Sequence, residues 1–348
     1  MPAGPDSRDG GSQSPRKAST IRDVATLAGV SKSTASRALL GQPGVSPENL
    51  EKVQQAIRQL DFVPNRIARS LSAPSPAMLG LFLRNSDSPF YGHLAKAFDG
   101  EADRRGYEVL SVASGDQTDD ANYQSLMVLV GLRTAGIVVA TPVVDPLTIR
   151  RVAARVPLVL VGQIGQPDNP EVPFVAPDPK DGLVLVDQVL AHGHTSVALT
   201  AVPPEQSPTQ WVRIEEMQRH LATRGVRHRV VTVQPDTDLS DLVAGLVRDR
   251  VTAVLCNNDF VALDVLAAAA RLGIAIPGEL SVAGFDGLPP FDHEAVGLTT
   301  YRVPAAAMAA AAADLVDRLV RGETVDAGGS LLPGELVVGR TTGPAPTS

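Results

Sequence analysis

Residues 20–72 read TIRDVATLAGVSKSTASRALLGQPGVSPENLEKVQQAIRQLDFVPNRIARSLS. Three short helices can be marked off in this stretch. Thr20 stands at an N-cap, with Asp23 three residues on as the short form of a capping box. Ile21, Val24, Ala25, Leu27 and Ala28 supply an apolar stripe, and Gly29 stands where left-handed backbone ends a helix. Val30 is apolar and can plug the turn. Ser31 caps a second helix, Lys32 to Leu40, which stops at Gly41. A third begins at Ser46 with Pro47 in its first turn and carries Val53, Ile57 and Leu60 on its buried side. A connection of three to four residues containing a glycine is the spacing of a helix-turn-helix. A three-helix bundle with a polar face is the structural alternative.

The outer face of the second helix bears on that choice. Lys32, Ser33, Ser36 and Arg37 are short or basic and polar, while Ala35, Ala38 and Leu39 can face inward. A recognition helix needs donors and acceptors near its N-terminus, where they reach base edges in the major groove. Arg37 suits a guanine, and Lys32 and Ser33 suit neighbouring bases. The helix N-termini, with Thr20, Ser31, Thr34 and Asn49, suit phosphates. From Arg16 to Ala73 nine basic side chains stand against four acidic ones, a balance of +5. The chain as a whole carries −7, so the remainder carries about −12. A basic head on an acidic body fits one end that meets a polyanion.

The same stretch resembles the head of the LacI/GalR repressor family. The matching pieces are Ile21-x-Asp23-Val24-Ala25, Ala28-Gly29-Val30-Ser31, Thr34-x-Ser36-Arg37, Val45-Ser46 and Phe62-Val63-Pro64-Asn65 followed by Ala68-x-x-Leu71. The resemblance implies a further device. Residues 65–72 would form a short hinge helix in the minor groove, with Asn65, Ala68 and Arg69 lining the contact and Leu71 wedged between base pairs. Unstacking costs a few kcal/mol, offset by the contacts a bent duplex permits. Paired hinge helices imply a homodimer on a near-palindromic double-stranded DNA operator.

Working outward, residues 1–19 are rich in Gly, Ser, Pro and charge and read as a disordered tail without the apolar core of a signal peptide. The joint Ala73-Pro74-Ser75-Pro76 closes the hinge and linker segment 65–76. Beyond it, strand-like apolar runs alternate with helical periodicity: Met78–Leu83, Leu94–Arg105, Tyr107–Val112, Asp120–Val130, Gly136–Ala140, Pro157–Val161, and so on to Ser281–Phe285. Alternation of this kind means parallel sheets with helices on both faces, and some 260 residues of it suggest two similar lobes. The expected fold class is therefore α/β: a three-helix helix-turn-helix head (20–64), a hinge helix, and a two-lobed body (77–340). The resemblance adds that the body is like a periplasmic binding protein, with ligand between the lobes at the C-terminal ends of the strands. The crossings are expected near Gly162–Gln163, Pro289–Phe291 and after Thr324. That gives an N-lobe of 77–162 and 291–324 and a C-lobe of 163–290 and 325–340, with 341–348 as a Pro-rich tail lacking any heptad repeat.

In the body the resemblance rests on Ser88-Pro89-Phe90-Tyr91, Gly193-His194, Arg213, Asn258-Asp259, Gly273-Ile274-x-Ile276-Pro277, Ser281-Val282-x-Gly284-Phe285-Asp286 and Leu298-Thr299-Thr300. It implies effector contacts at Phe90, Tyr91, Arg213, Asn258 and Asp286, and an effector of sugar or nucleoside class. An aromatic ring can stack on a sugar or base, while Arg, amide and carboxylate pair with hydroxyls or ring nitrogens. Each has a structural alternative: packing at a helix start for Phe90 and Tyr91, a turn cap for Asp286, a solvated helix position for Arg213. Glu216 and Met217, Asp178-Pro179, Asp264 and Gln163 depart from the family's usual residues, so effector identity stays open. So does the choice between induction and corepression.

Composition narrows the classes. One cysteine, Cys256, excludes an internal disulfide and a Cys-rich metal site, and favours a cytoplasmic protein. There is no long uncharged apolar run for a membrane span. His192-x-His194 lacks a third metal ligand at suitable spacing and reads as a turn after a helix. No Gly-x-Ser-x-Gly, phosphate-cradling Gly-rich loop with Lys or His-Glu-x-x-His is present. Neither an enzyme nor a cofactor is expected. The expectation is a cytoplasmic, nucleoid-associated, allosteric repressor of transcription.

Overall fold

In the computed structural model the described residues are 19–39, 43–62, 78–84, 88–113, 118–141, 143–163, 169–234 and 237–347. The chain divides into two compact units, residues 1–72 and 73–348. The expected tail before Ser19 and the expected hinge helix lie outside the described residues.

The first unit is the three-helix head: α1 (Ile21–Ala28), α2 (Lys32–Leu39) and α3 (Pro47–Gln59). Thr20 and Asp23 close the capping box reciprocally: the Thr20 amide donates to the Asp23 carboxylate at 2.7 Å and the Asp23 amide to the Thr20 hydroxyl. Gly29 ends α1 with φ +66°. Ser31 accepts from the Thr34 amide at 3.0 Å, and Ser46 from the Asn49 amide. Val24, Ala25, Ala28, Ala35, Ala38, Val53 and Ala56 form the core, with Ile21, Val30, Ile57, Leu60 and Phe62 packed against it. Leu27 departs from the expected stripe and is half exposed. Positions 21, 24, 25 and 28 share one helical face, whereas 27 falls well to its side.

The second unit holds two six-stranded sheets. The first is built from β1 (Met78–Leu83), β2 (Glu108–Ala113), β3 (Gly136–Ala140), β4 (Leu158–Val161), β5 (Phe174–Pro177) and β11 (Ser330–Leu332), in the order β11-β5-β4-β3-β1-β2 and all parallel. The second contains β6 (Ser196–Ala201), β7 (Arg227–Thr232), β8 (Ala253–Leu255), β9 (Ser281–Asp286), β10 (Thr299–Arg302) and β12 (Glu335–Val337), in the order β12-β10-β9-β8-β6-β7. Only its edge strand β12 is antiparallel. Fully buried runs such as LVLV in β4 and SVALTA in β6 are what strands covered on both faces require.

Helices α4 (Pro89–Arg104), α5 (Asp119–Gly131), α6 (Pro146–Ala153) and α11 (Ala305–Val320) flank the first sheet. Helices α7 (Gly182–Ala191), α8 (Pro208–Thr223), α9 (Ser240–Arg248) and α10 (Asp259–Leu272) flank the second. The Ala-rich α11 lies close over β3, α4 and β5. A Cβ on Gly136 would come within 2.5 Å of Val316, so glycine lets helix and sheet approach.

The crossings fall later than the sequence suggests. Strand β5 pairs with β4 through Leu160–Phe174 and Val161–Val175, so the chain leaves the first sheet after Pro177 and not at Gly162. Strand β10 pairs with β9, and Phe291 packs edge-on against Phe260 of α10, so the return comes between Arg302 and Ala305 and not at Pro289. Strand β11 belongs to the first sheet and β12 to the second, which puts the third crossing at residues 333–334 and not after Thr324. The missed strands are three or four residues long and lean on sheet neighbours that the local pattern cannot show. The expected 341–348 tail is also partly built in: Val282 donates to the Thr341 carbonyl, and Ala345 to the His192 carbonyl.

Candidate nucleic-acid interface and ligand cleft

On the head, α2 divides cleanly into two faces. Ala35 and Ala38 are buried, whereas Lys32, Ser33 and Arg37 are exposed and Ser36 is half-buried. Lys32 and Arg37 have no ion-pair or hydrogen-bond partner among the described residues. Ser31 and Thr34 are committed to the start of α2, with hydroxyls 2.8 Å apart. Thr20 is exposed at the start of α1, and Asn49 is half-buried in the first turn of α3. The proposed hinge contacts Asn65, Ala68, Arg69 and Leu71 fall outside the described residues.

In the body, Phe90, Tyr91, Arg213, Asn258 and Asp286 line one cavity of about 310 Å³. They come from α4, α8, the start of α10 and the end of β9, so both lobes contribute. This is the crevice at the C-terminal ends of the parallel strands. The Phe90 and Tyr91 rings meet edge to face with centroids 5.2 Å apart. Burial pushes the Tyr91 hydroxyl up to about 12. Arg213 donates from Nη2 to the Asn257 carbonyl at 2.9 Å and lays its guanidinium on Phe285, 3.4 Å from the ring centroid. Burial lowers its pKa to about 10, opposed by Asp286 and Asp181, so it remains a cation at neutral pH. It is thus a buried, oriented donor and not a solvated helix residue.

Asn258 both lines the cleft and caps α10, its Oδ1 accepting from the Val261 amide at 2.9 Å. That leaves its NH₂ for the cavity. Asp286 ends β9 with φ +112°, a left-handed conformation that a non-glycine residue adopts at a cost. Burial and the nearby Asp259 push its carboxyl up to about 8, against the pull of Arg213. Asp259 itself is held by the Thr300 hydroxyl (2.6 Å) and the Gly287 amide (2.7 Å), and burial raises it to about 6. Its carboxylate fills the space left by the missing side chain of Gly284.

The cleft also draws on Ser88, from the Ser88-Pro89-Phe90-Tyr91 motif, and on residues the sequence does not single out: Arg84, Gln206, Ser207, Thr209 and Gln210. Arg84 follows β1 and the others sit at the N-termini of α4 and α8; only the fold brings them together. His194, weighed above as half of a metal pair, is buried, its Nδ1 on the Thr252 hydroxyl and its Nε2 on Ser281 and the Gly343 carbonyl. Cys256 is buried, and burial raises its thiol far above the usual range. Among the described residues no group of acidic, His or Cys side chains is placed to hold a metal ion.

Residues 20–65 match the family model for bacterial regulatory proteins of the lacI family, and residues 186–342 match that for a periplasmic binding protein-like domain. The HTH-type transcriptional regulator MalR of Streptomyces coelicolor is 31% identical over 345 residues, covering 94% of this chain and 97% of that protein. The chain belongs to the LacI family. The HTH-type transcriptional regulator GalR of Escherichia coli is 30% identical over 304 residues, covering 85% of this chain and 88% of that protein. The fold also matches a lac repressor dimer bound to operator and the anti-inducer ONPF, with a TM-score of 0.79 over 94% of this chain and 100% of that one, at 24% identity. LacI-family members are DNA-binding transcription regulators and not enzymes. Among the described residues no helix is long and apolar enough to cross a membrane.

Proposed function

We propose that this LacI-family regulator is a cytoplasmic, nucleoid-associated repressor that occupies a near-palindromic operator as a homodimer and is controlled by a small molecule in the interlobe cleft. The observation that carries the effector half is the convergence of Phe90, Tyr91, Arg213, Asn258 and Asp286 on one cavity. Lys32 and Arg37 on α2, exposed and without a partner among the described residues, support the DNA half. Ser33 and Ser36 accompany them at base edges, and Thr20, Ser31, Thr34 and Asn49 sit where helix starts meet phosphate. Residues 65–72, with Asn65, Ala68, Arg69 and Leu71, serve as the minor-groove hinge. Ligand of sugar or nucleoside class shifts the lobes and orders or melts the hinge. That requires a differential affinity on the order of 1–3 kcal/mol between the two states.

Two experiments test this reading. Selection of random duplex DNA by the purified protein should enrich a near-palindrome with a central CG step; absence of enrichment under every ligand condition overturns the operator assignment. Asp286→Ala should abolish ligand-controlled DNA release while leaving operator binding intact. Persistence of release in that variant means the cleft is not the effector site.

A further inference from the structure

At the end of the second sheet away from the cleft, the strands begin beside another cavity, of about 410 Å³. Its walls are the starts of β6 and β7 and the turn between α9 and β8. Strand β6 is six residues long, so this cavity lies roughly 20 Å from the cleft at the other ends of the same strands. Between Asp178 and Asp286 the chain has fourteen acidic and nine basic residues. Four of those nine, Arg227, Arg229, Arg248 and Arg250, line this one cavity. Asp249 is the single carboxylate beside them among the described residues. Arg227 and Arg229 are alternate residues of the edge strand β7 and share a face. Arg248 ends α9, and Arg250 follows the C-cap Asp249 with φ +58°. Glycine takes that left-handed place after α4, α7, α8, α10 and α11, and Arg133 after α5 is the other exception.

Part of this charge has a structural use. Arg227 donates from Nε to the Ser196 hydroxyl at 3.1 Å. Its Nη2 donates to the Asp249 and Arg250 carbonyls at 3.0 and 3.2 Å, which closes the C-terminal end of α9. Arg229 pairs with Asp249 at 2.9 Å. His228 turns its Nδ1 to the Val226 carbonyl. A helix C-terminus carries about half a negative charge and Asp249 adds one, so the four guanidinium groups exceed their local counter-charge by roughly 2.5. The Arg248 and Arg250 side chains have no ion-pair or hydrogen-bond partner among the described residues. Like charges gathered at one cavity repel, and a bound anion would offset that cost. We propose that this cavity is a second ligand site, for a small molecule carrying a diphosphate group. A guanidinium meets phosphate through two parallel hydrogen bonds, so four of them around one cavity match more than one phosphate. The lining offers no Phe, Tyr or Trp ring for stacking, so the phosphates themselves are what it reads. The site shares no residue with the interlobe cleft and goes beyond the effector reading.

Calorimetry on the full-length protein at constant ionic strength tests this, with orthophosphate, pyrophosphate and a nucleoside 5′-diphosphate as probes. At least one diphosphate is expected to bind saturably, at least about tenfold more tightly than orthophosphate. The two diphosphates separate the free inorganic ion from an ester as the species that fits. Arg250 gives a variant that removes charge without straining the backbone, because glycine suits a positive φ best. Arg250→Gly should weaken diphosphate binding severalfold and leave the thermal midpoint about unchanged. Arg248→Gln added to it should bring the loss to at least about tenfold, whereas Arg250→Lys alone should lose much less. These changes leave the head and the cleft intact, and Asp286→Ala should leave the diphosphate isotherm as it is. An isotherm equal in the wild type and the double variant assigns the binding to another part of the chain and overturns the proposal. So does the absence of saturable binding, or equal affinity for orthophosphate and both diphosphates. In each of these cases the effector reading of the cleft stands.

Discussion

Arg37 is exposed in the last turn of α2 with no partner for its five donors among the described residues, on a helix whose opposite face is closed by Ala35 and Ala38. Arg37→Ala is expected to cost about 1–3 kcal/mol against the selected operator and to relax the preference at one base position. Gel-shift titrations on the operator and on random duplex measure both effects; equal losses on the two DNAs would make Arg37 a phosphate contact. Asp286 offers a second prediction at this scale. Its carboxyl is raised from 3.8 to about 8, so the folded protein holds this proton more tightly than the unfolded chain does. Ionisation therefore works against the fold, and the Asp286 contribution to stability declines as pH rises from about 4 through about 8. Asp286→Asn should unfold at higher temperature than wild type at pH 8.5, by roughly 1–3 kcal/mol, with the gap closing towards pH 4. A pH-independent gap would show that packing or backbone strain, and not the charge, sets the difference.

At the scale of elements, helix ends are where local sequence speaks most clearly. The Thr20–Asp23 box, Gly29 and Ser46–Pro47 are chemical signals confined to a few residues, and each stands where the sequence places it. Short strands at or next to a sheet edge carry no such signal, which is why β11 and β5 are illegible before the sheet is assembled. The close approach of α11 to β3 is a further contact of this kind. Gly136→Ala is expected to destabilise by about 1–3 kcal/mol, because the added methyl meets the fully buried Val316. The midpoint of denaturant unfolding checks this. The docked C-terminal segment gives a pH signature. A backbone carbonyl only accepts, so His194 donates to Gly343 from Nε2 and its Nδ1 accepts from Thr252. Burial lowers its pKa below 6.5. The unfolded chain thus binds that proton more readily, and the stability His194 contributes is present above pH 6.5 and lost as pH falls through its lower folded value. His194→Ala should lower the thermal midpoint at pH 7.5 and weaken the dependence on pH below 6.5.

For the whole molecule, the separation of charge governs how DNA is met. The segment from Arg16 to Ala73 carries +5 on a chain of −7, so binding depends on head–phosphate contacts working against an acidic body. Operator affinity is expected to fall linearly on a double-logarithmic plot against salt, by at least about tenfold between about 50 and 200 mM. A flat plot would remove phosphate contacts from the account. The sequence by itself determined the helix-turn-helix and the alternation of strand and helix, because caps and periodicity are local properties of the chain, while the five cleft residues came from its resemblance to the LacI/GalR family. Tertiary structure alone decided where the chain crosses between lobes, since a four-residue strand such as β5 is held by pairing with β4 and with the distant β11. It alone recruited Arg84 and the first turn of α8 to the cleft. It also raised the proton affinity of Asp286, because burial and the nearness of Asp259 and Arg213 arise only when distant segments meet.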